Sequence, residues 1–333
     1  MKKGWGVKIS GWGACLPGNA ISNKELQQQF QLINFNADKH AKVTGILYRH
    51  LGDQHTTTSI IAAKAGEQAL SKAGIKSSEL SRIILGTQTP DFLNTAASCH
   101  VQYLLKATCP VGDTNASCAS FMYALDYALR LVATGEDKIL LIGADMKSRN
   151  VRRGDELFLP LFSDGAGALV LEPCNDNLGF IGIKLWADGS GYKDIIVPAG
   201  GSALPASEET INKNLHGTVM QISGKKMADT LAQNMASVAA ELCNETGIAM
   251  SEIELFIPHQ ANLHIMRKAA SLLNIPSEKM VISIDKIGNC ISGTIPITLH
   301  QAFESGKMKK GAIVLLSAAG AGYTAGAALY RCT

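Results

Sequence analysis

Apolar residues recur along this chain with helical or strand spacing, and the changes between the two mark out its elements. In "SFMYALDYALRLVA" they fall at Phe121, Ala124, Leu125, Ala128, Leu129 and Val132, one buried helix face. The spacing predicts a helix that opens just after Cys118. Residues 5–15 read as a first strand, closed by the turn Leu16 to Asn19. Ser22, with Glu25 three residues on, forms a capping box for a short helix from Asn23. A further helix is predicted from about Thr57 to Ala73, ended by Gly74. Residues 33–55 have mixed polarity and no clean period, which predicts a loop and lid.

Two passages repeat. "AGIKSSELSRIILGTQ" is echoed by "TGIAMSEIELFIPHQ", and "ATGEDKILLIGAD" by "ESGKMKKGAIVLLSAAG". Gly74 to Gly247 is a shift of 173, and Gly135 to Gly306 a shift of 171. Two nearly equal offsets point to an internal duplication, the alternative being chance likeness of two αβ units. The chain is thus predicted to be α/β, with halves at 1–173 and 174–333. The offset of 171 carries Cys118 to Asn289, so these two are expected to be counterparts.

Composition narrows the picture. The 333 residues are 46% hydrophobic and 18% charged, with 32 glycines, as in a globular protein with many tight turns. A net charge of +3 gives no global field for nucleic acid. Basic pairs at Lys225–Lys226, Arg267–Lys268 and Arg152–Arg153 are local features that suit a solvated face or an acidic partner. The eight cysteines have no C-x-x-C spacing, which argues against zinc or a redox pair and for reduced thiols. No apolar run reaches 18 residues, and the glycine-broken start does not resemble a signal peptide. A soluble cytoplasmic protein is expected, without membrane or nucleic-acid partners.

The chemistry centres on Cys118. It stands at a helix mouth among short residues, where the dipole favours a thiolate by up to ~2 kcal/mol, roughly a tenfold gain in ionised fraction. The competing reading is a small buried hydrophobe. His259 ends the strand "ELFIPHQ", at the edge where α/β sheets place ligands and catalysts. A lone histidine there would more often bond a loop carbonyl. Cysteine, histidine and Asn289 together suit thioester chemistry, in which the cysteine takes an acyl group and the other two donate hydrogen bonds to a forming enolate. The glycine-rich "SAAGAGYT" can add main-chain N–H groups to that of Cys118, forming an oxyanion hole.

In this order and spacing, "NASCASFMYAL", "IPHQAN" and "GNCISGTIPITL" resemble the Cys-His-Asn motifs of the 3-oxoacyl-[acyl-carrier-protein] synthase III family. "FSDGAGALVL" and "LLSAAGAGYTAGAAL" are similar to two more of its blocks. The resemblance spans nearly the whole chain. It implies a thiolase fold of five layers, αβαβα, in a homodimer. It also implies decarboxylating condensation of an acyl starter with malonyl carrier protein, with no cofactor beyond the substrates acyl-CoA or acyl-ACP and malonyl-ACP. Carried over, Cys118 is the acylated nucleophile, His259 and Asn289 assist decarboxylation, and Ala321 completes the oxyanion hole. Gly224 and Asn262 match pantetheine-tunnel positions, and Arg153 falls near an adenine-contacting arginine. Lys225, Lys226, Arg267 and Lys268 would meet the acidic carrier protein.

Three positions depart from the family. Lys39 and Val43 stand where a tryptophan and an arginine hold the adenine nucleotide of coenzyme A, and Ala319 replaces an aromatic. A synthase III specialised for a carrier-borne starter longer than acetyl is therefore expected, with room for the acyl group at Ala319. Among related classes, a thiolase needs a second catalytic cysteine that "SAAGAG" lacks, and an elongating synthase a second histidine where Asn289 stands. Plant-type polyketide synthases share Cys-His-Asn but end in a different glycine motif. A non-catalytic carrier-binding subunit is the reading from another class.

Overall fold

The computed structural model describes residues 4–152, 154–174 and 178–333. The chain opens with β1 (Val7–Cys15). A ribbon of β2 (Ala20–Ser22) and β3 (Tyr48–His50) then brackets α1 (Asn23–Phe30) and α2 (Ala37–Thr44). Next come α3 (Thr58–Ala73), β4 (Arg82–Gly86), α4 (Ala97–Leu105), β5 (Val111–Thr114), α5 (Ser120–Ala133), β6 (Ile139–Met146) and β7 (Asp164–Pro173). The second half holds β8 (Gly179–Ala187), β9 (Ile195–Ile196), α6 (Glu208–Asn212), β10 (Val219–Met220), α7 (Gly224–Thr246) and β11 (Ile253–Pro258). It ends with α8 (Leu263–Leu272), α9 (Ile284–Ile287), α10 (Thr294–Glu304), β12 (Ile313–Gly320) and β13 (Thr324–Arg331).

The first sheet runs β1-β7-β6-β4-β5 and the second β8-β13-β12-β11, the same order apart from β5. Each has a parallel core, β4 with β5 and β6 in one and β11 with β12 in the other, flanked by antiparallel strands. A strand buried on both faces must be apolar throughout, and all eight residues of β6 are buried. Its side chains alternate. Ile139 and Leu141 join the core around α5 and α10, which also takes Val314 and Leu316 of β12, whereas Leu140 and Ile142 face α3 and α4. On the far side, Leu315 and Ile313 meet α7 and α8. The five layers are thus α3/α4, first sheet, α5/α10, second sheet and α7/α8, the thiolase arrangement. Packing in the middle is close: a Cβ at Gly143 of β6 would stand 2.4 Å from the Ser292 carbonyl oxygen.

Two expectations are corrected here. Residues 33–55 are not a loop, since α2 and β3 lie within them. Asn36 caps α2 by accepting from the Lys39 N–H at 2.8 Å, Gly45 ends it at φ 77°, and Thr44 alone is buried, so no apolar face announces it. The segment is organised around a buried cation. Arg49 of β3 donates to the Ile21 and Pro160 carbonyls, each at 3.1 Å, and to Asn23 Oδ1. The second correction concerns register. Helices α5 and α10 begin at Ser120 and Thr294, and the left-handed residues before them are Ser117 and Ile291, both pairs 174 apart. The counterpart of Cys118 is therefore Ser292, not Asn289. Among the described residues no helix is long and apolar enough to cross a membrane.

Candidate active site

Cys118 lies in a tight turn between β5 and α5. Ser117 takes φ 52°, and the Ser120 hydroxyl donates back to the Ser117 carbonyl at 2.5 Å while accepting the Ala116 N–H at 2.9 Å. That turn is clamped from the second sheet. Thr324 Oγ1 donates to the Ala116 carbonyl at 2.7 Å, and a Cβ on Gly320 would meet the Cys118 nitrogen at 2.7 Å, so only glycine lets β12 approach so closely. Among the described residues, the N–H groups of Cys118 and Ala321 donate to no other protein group. Two unused donors here can hold an oxyanion.

β12 also positions His259, whose N–H donates to the Ser317 carbonyl at 2.8 Å just past the end of β11. The imidazole is buried. Its Nδ1 lies 2.6 Å from Thr294 Oγ1, and its Nε2 has no partner among the described residues. Thr294 Oγ1 also lies 3.0 Å from the Ile291 carbonyl and accepts the Gln260 N–H at 3.3 Å. A hydroxyl has one hydrogen to give. Directed to Ile291, it makes Nδ1 the donor and leaves a lone pair on Nε2; directed to Nδ1, it leaves Nε2 as the donor. Asn289 is fixed beside the same turn, since its Oδ1 accepts the Ile291 N–H at 3.0 Å and its Nδ2 reaches the Ala261 carbonyl at 3.5 Å. The amide orientation is thereby set, and one Nδ2 hydrogen remains for a ligand.

Burial governs the electrostatics. It pushes the Cys118 thiol up to about 12, against the opposing pull of the Lys147 ammonium, and the Asp145 carboxylate adds to the rise. It also drives the His259 imidazole down to about 3. The thiolate expected from a helix mouth is not the resting state. Cys118 precedes the first residue of α5 by two positions, and desolvation outweighs the dipole. A neutral thiol and a neutral imidazole result.

The expected binding residues fare unevenly. Asn262 caps α8, its Oδ1 accepting the His264 N–H at 2.8 Å. Gly224 opens α7 with a Cβ contact no closer than 3.7 Å, so nothing local requires glycine there. Arg153 lies outside the described residues. Lys225, Lys226 and Arg267 are exposed, but Lys268 is paired with Asp229 at 2.7 Å, which diminishes the patch. Lys39 and Val43 lie exposed on α2. The expected room at Ala319 is not beside Cys118. Ala319 shares the face of β12 on which Ser317 bonds the Met235 carbonyl of α7, and it is buried in that layer with Tyr323. Thr294 and Lys147 were not anticipated, although a lysine directly after the wholly buried β6 is a readable signal.

Relatives fit this geometry. The family described as 3-Oxoacyl-[acyl-carrier-protein (ACP)] synthase III is matched by residues 112–189, and its C-terminal part by residues 243–332. A beta-ketoacyl-[acyl-carrier-protein] synthase III of Syntrophomonas wolfei is 39% identical over 98% of this chain and 97% of its own. One of Rickettsia prowazekii is 38% identical over 97% of this chain and 99% of its own. The crystal structure of 3-oxoacyl-[acyl-carrier-protein] synthase III from Aquifex aeolicus superposes with a TM-score of 0.89 at 33% identity, covering 98% of this chain and 100% of that one. With Cys118, His259 and Asn289 set around β12 and the α10 mouth, the chain belongs to the 3-oxoacyl-[acyl-carrier-protein] synthase III family.

Proposed function

We propose that this acyltransferase accepts an acyl group on Cys118 and joins it to malonyl carrier protein with loss of CO2, yielding 3-oxoacyl carrier protein. In the first half-reaction the Cys118 sulfur attacks the thioester carbonyl, its proton passes to His259 Nε2, and the N–H groups of Cys118 and Ala321 hold the oxyanion. The donor thiol leaves with that proton. In the second, the malonyl group loses CO2 while His259 Nε2–H and Asn289 Nδ2 hold the enolate oxygen. The enolate carbon then attacks the acyl carbonyl, the carbon–sulfur bond breaks, and the Cys118 sulfur leaves as a thiolate that takes up one proton from solvent. Between the halves the imidazole loses its Nδ1 proton to solvent and gains one on Nε2 from solvent; the Thr294 hydroxyl accommodates both tautomers, pointing to Ile291 in the first and to Nδ1 in the second. The observation that carries this reading is the pair of unused N–H groups at Cys118 and Ala321, together with the buried, unpartnered Nε2 of His259.

Around this centre, Asn262 Nδ2 and Gly224 border the pantetheine path. Lys225, Lys226 and Arg267 receive an acidic carrier protein. We take the halves to divide at 173/174 and the enzyme to act in the cytoplasm as a homodimer. Support for the dimer comes from the four-residue edge strand β5 and the exposed Phe92, Leu93 and Tyr103 near it, at 68%, 89% and 77%. The exposed Lys39 and Val43 offer no flat stack for adenine, which favours a starter on carrier protein. The test is intact-protein mass spectrometry after incubation with acyl thioesters. One acyl group on wild type and none on Cys118→Ala is expected, and equal labelling of both would overturn the assignment.

A further inference from the structure

Lys147 has no part in the chemistry above, yet it is buried at its centre. Only 5% exposed, it follows β6 directly, and its ammonium lies 5.3 Å from the centre of the Phe162 ring. Phe162 is the bridge partner of Asn289, with the Ser163 N–H on the Asn289 carbonyl at 3.0 Å and the Asn289 N–H on the Leu161 carbonyl at 3.3 Å. The same ammonium acts electrostatically on Cys118. None of its three N–H groups has an acceptor among the described residues. Asp145, the neighbouring carboxylate, is already occupied: its Oδ1 accepts from Thr87, Gln88 and Thr89, and its Oδ2 from the Ser292 N–H and hydroxyl.

An ammonium so largely buried without a protein acceptor is costly, and burial accordingly lowers its proton affinity, while its Nζ is not among the fully enclosed unpartnered atoms and so stays open to a ligand. A ligand anion would satisfy it. Lys147 acts on the Cys118 sulfur, so an anion on its Nζ is within reach of an acyl group carried there. Its contact with Phe162 adjoins Asn289, so the malonyl carboxylate is the competing anion. A cation clamped on that departing carboxylate would stabilise the ground state and slow loss of CO2, which favours the acyl group.

We infer that Lys147 is a specificity-determining residue that selects a starter acyl group bearing a carboxylate at its far end, an ω-carboxyacyl thioester. The inference rests on acylation of Cys118 as proposed above. One carboxylate oxygen accepts from Nζ, and the Phe162 ring lines the space beside it.

The experiment is single-turnover acylation read by intact-protein mass, using malonyl, succinyl and glutaryl groups. Each is paired with the neutral branched acyl group of its shape: isovaleryl, 4-methylpentanoyl and 5-methylhexanoyl. All are offered on one carrier protein. Wild type should favour the charged member of at least one pair by about 10- to 100-fold, the worth of a charge-assisted hydrogen bond. Lys147→Met, similar in length and uncharged, should reverse that preference and keep acylation by the neutral partner; Lys147→Arg should retain it. Wild type preferring every neutral partner would overturn the inference. So would an equal loss for both members in Lys147→Met, which would make Lys147 a support of the thiolate. An unacylated Cys118 with all six donors would overturn the acylation reading itself, and this inference with it.

Discussion

At the mouth of α5 the chain turns through Ser117 at φ 52° and the Ser120 hydroxyl bends back to the Ser117 carbonyl. At the mouth of α10 it turns through Ile291 at φ 52°, and the Thr294 hydroxyl lies 3.0 Å from the Ile291 carbonyl. The residue after the turn differs. Cys118 keeps some exposed surface, whereas Ser292 is buried, its hydroxyl within hydrogen-bond reach of the Gly86 carbonyl at 2.9 Å and of Asp145, with one hydrogen to give to either. The helix-opening hydroxyls differ too, since Ser120 accepts from Ala116 within its own turn and Thr294 reaches out to His259 and Gln260. One frame thus serves twice. In the first copy it presents a nucleophile; in the second it anchors the helix and sets the hydrogen of an imidazole.

The largest effect should come from exchanging the residues that differ. Cys118→Ala should abolish acylation, a loss on the order of 10⁶ if a removed nucleophile elsewhere is a guide. Ser292→Cys places a thiol at the equivalent turn but out of reach, and that thiol should remain unacylated by intact-protein mass. An acyl group on the introduced thiol would mean that the two mouths are chemically interchangeable.

Thr294→Val sharpens the second mouth. It keeps the branched shape but removes the group that sets the His259 tautomer, so condensation and acylation should each fall by about 10- to 100-fold. Because the tautomers serve different halves, Thr294→Val should also change the pH profiles of the two steps, while Thr294→Ser restores both. Asn289→Ala should slow decarboxylation by about 10² to 10³ and leave acylation nearly intact. Decarboxylation at the wild-type rate in Asn289→Ala would remove that residue from the enolate site.

The two mouths also differ in pH behaviour. Folding holds His259 neutral, down to about 3 from 6.5, so its contribution is fully present above pH 6.5 and is lost as pH falls toward 3. His40, down to about 4, adds the same trend. Stability from urea denaturation should fall by at most ~1.4 kcal/mol per pH unit for each histidine, and His259→Gln should flatten the slope. Cys118 has the opposite sign: its thiol is held up at about 12 from 9.0, so its contribution is complete below pH 9 and lost as pH rises toward 12. Its iodoacetamide rate should climb steadily from pH 7 to 9. A plateau below pH 8 would restore the low-pKa thiolate.

Much of this was legible where a period or a cap carried it. The face from Phe121 to Val132, the capping box at Ser22 and Glu25, and the end of α3 at Gly74 all stand as read. The repeat was visible in its strands and helix-ending glycines, but its register at the site was not, because loops of unequal length lie between. Elements built on polar anchors escaped, as α2 and β3 do around Arg49. Lys147 and Thr294 escaped for a related reason. A buried polar group takes its meaning from partners far along the chain, such as Phe162, Asp145 and His259, which no local spacing encodes.

The smallest effects distinguish the structural hydroxyls. Ser292 joins α10 to the first sheet through Gly86 and the buried Asp145, so Ser292→Ala removes the one hydroxyl hydrogen that these two acceptors share. The expected loss is about 2 kcal/mol, the worth of one hydrogen bond to a charged group. Ser120 closes only its own turn, with Ala116 and Ser117, and Ser120→Ala should cost nearer ~1 kcal/mol. Both should keep Cys118 open to acylation, but Ser120→Ala should slow it several-fold by loosening the turn that aims the sulfur, whereas Ser292→Ala should slow it less. Urea denaturation and single-turnover acylation of the two variants decide the point. If Ser120→Ala proves the less stable variant and Ser292→Ala the slower one, the division between an aiming mouth and an anchoring mouth is wrong.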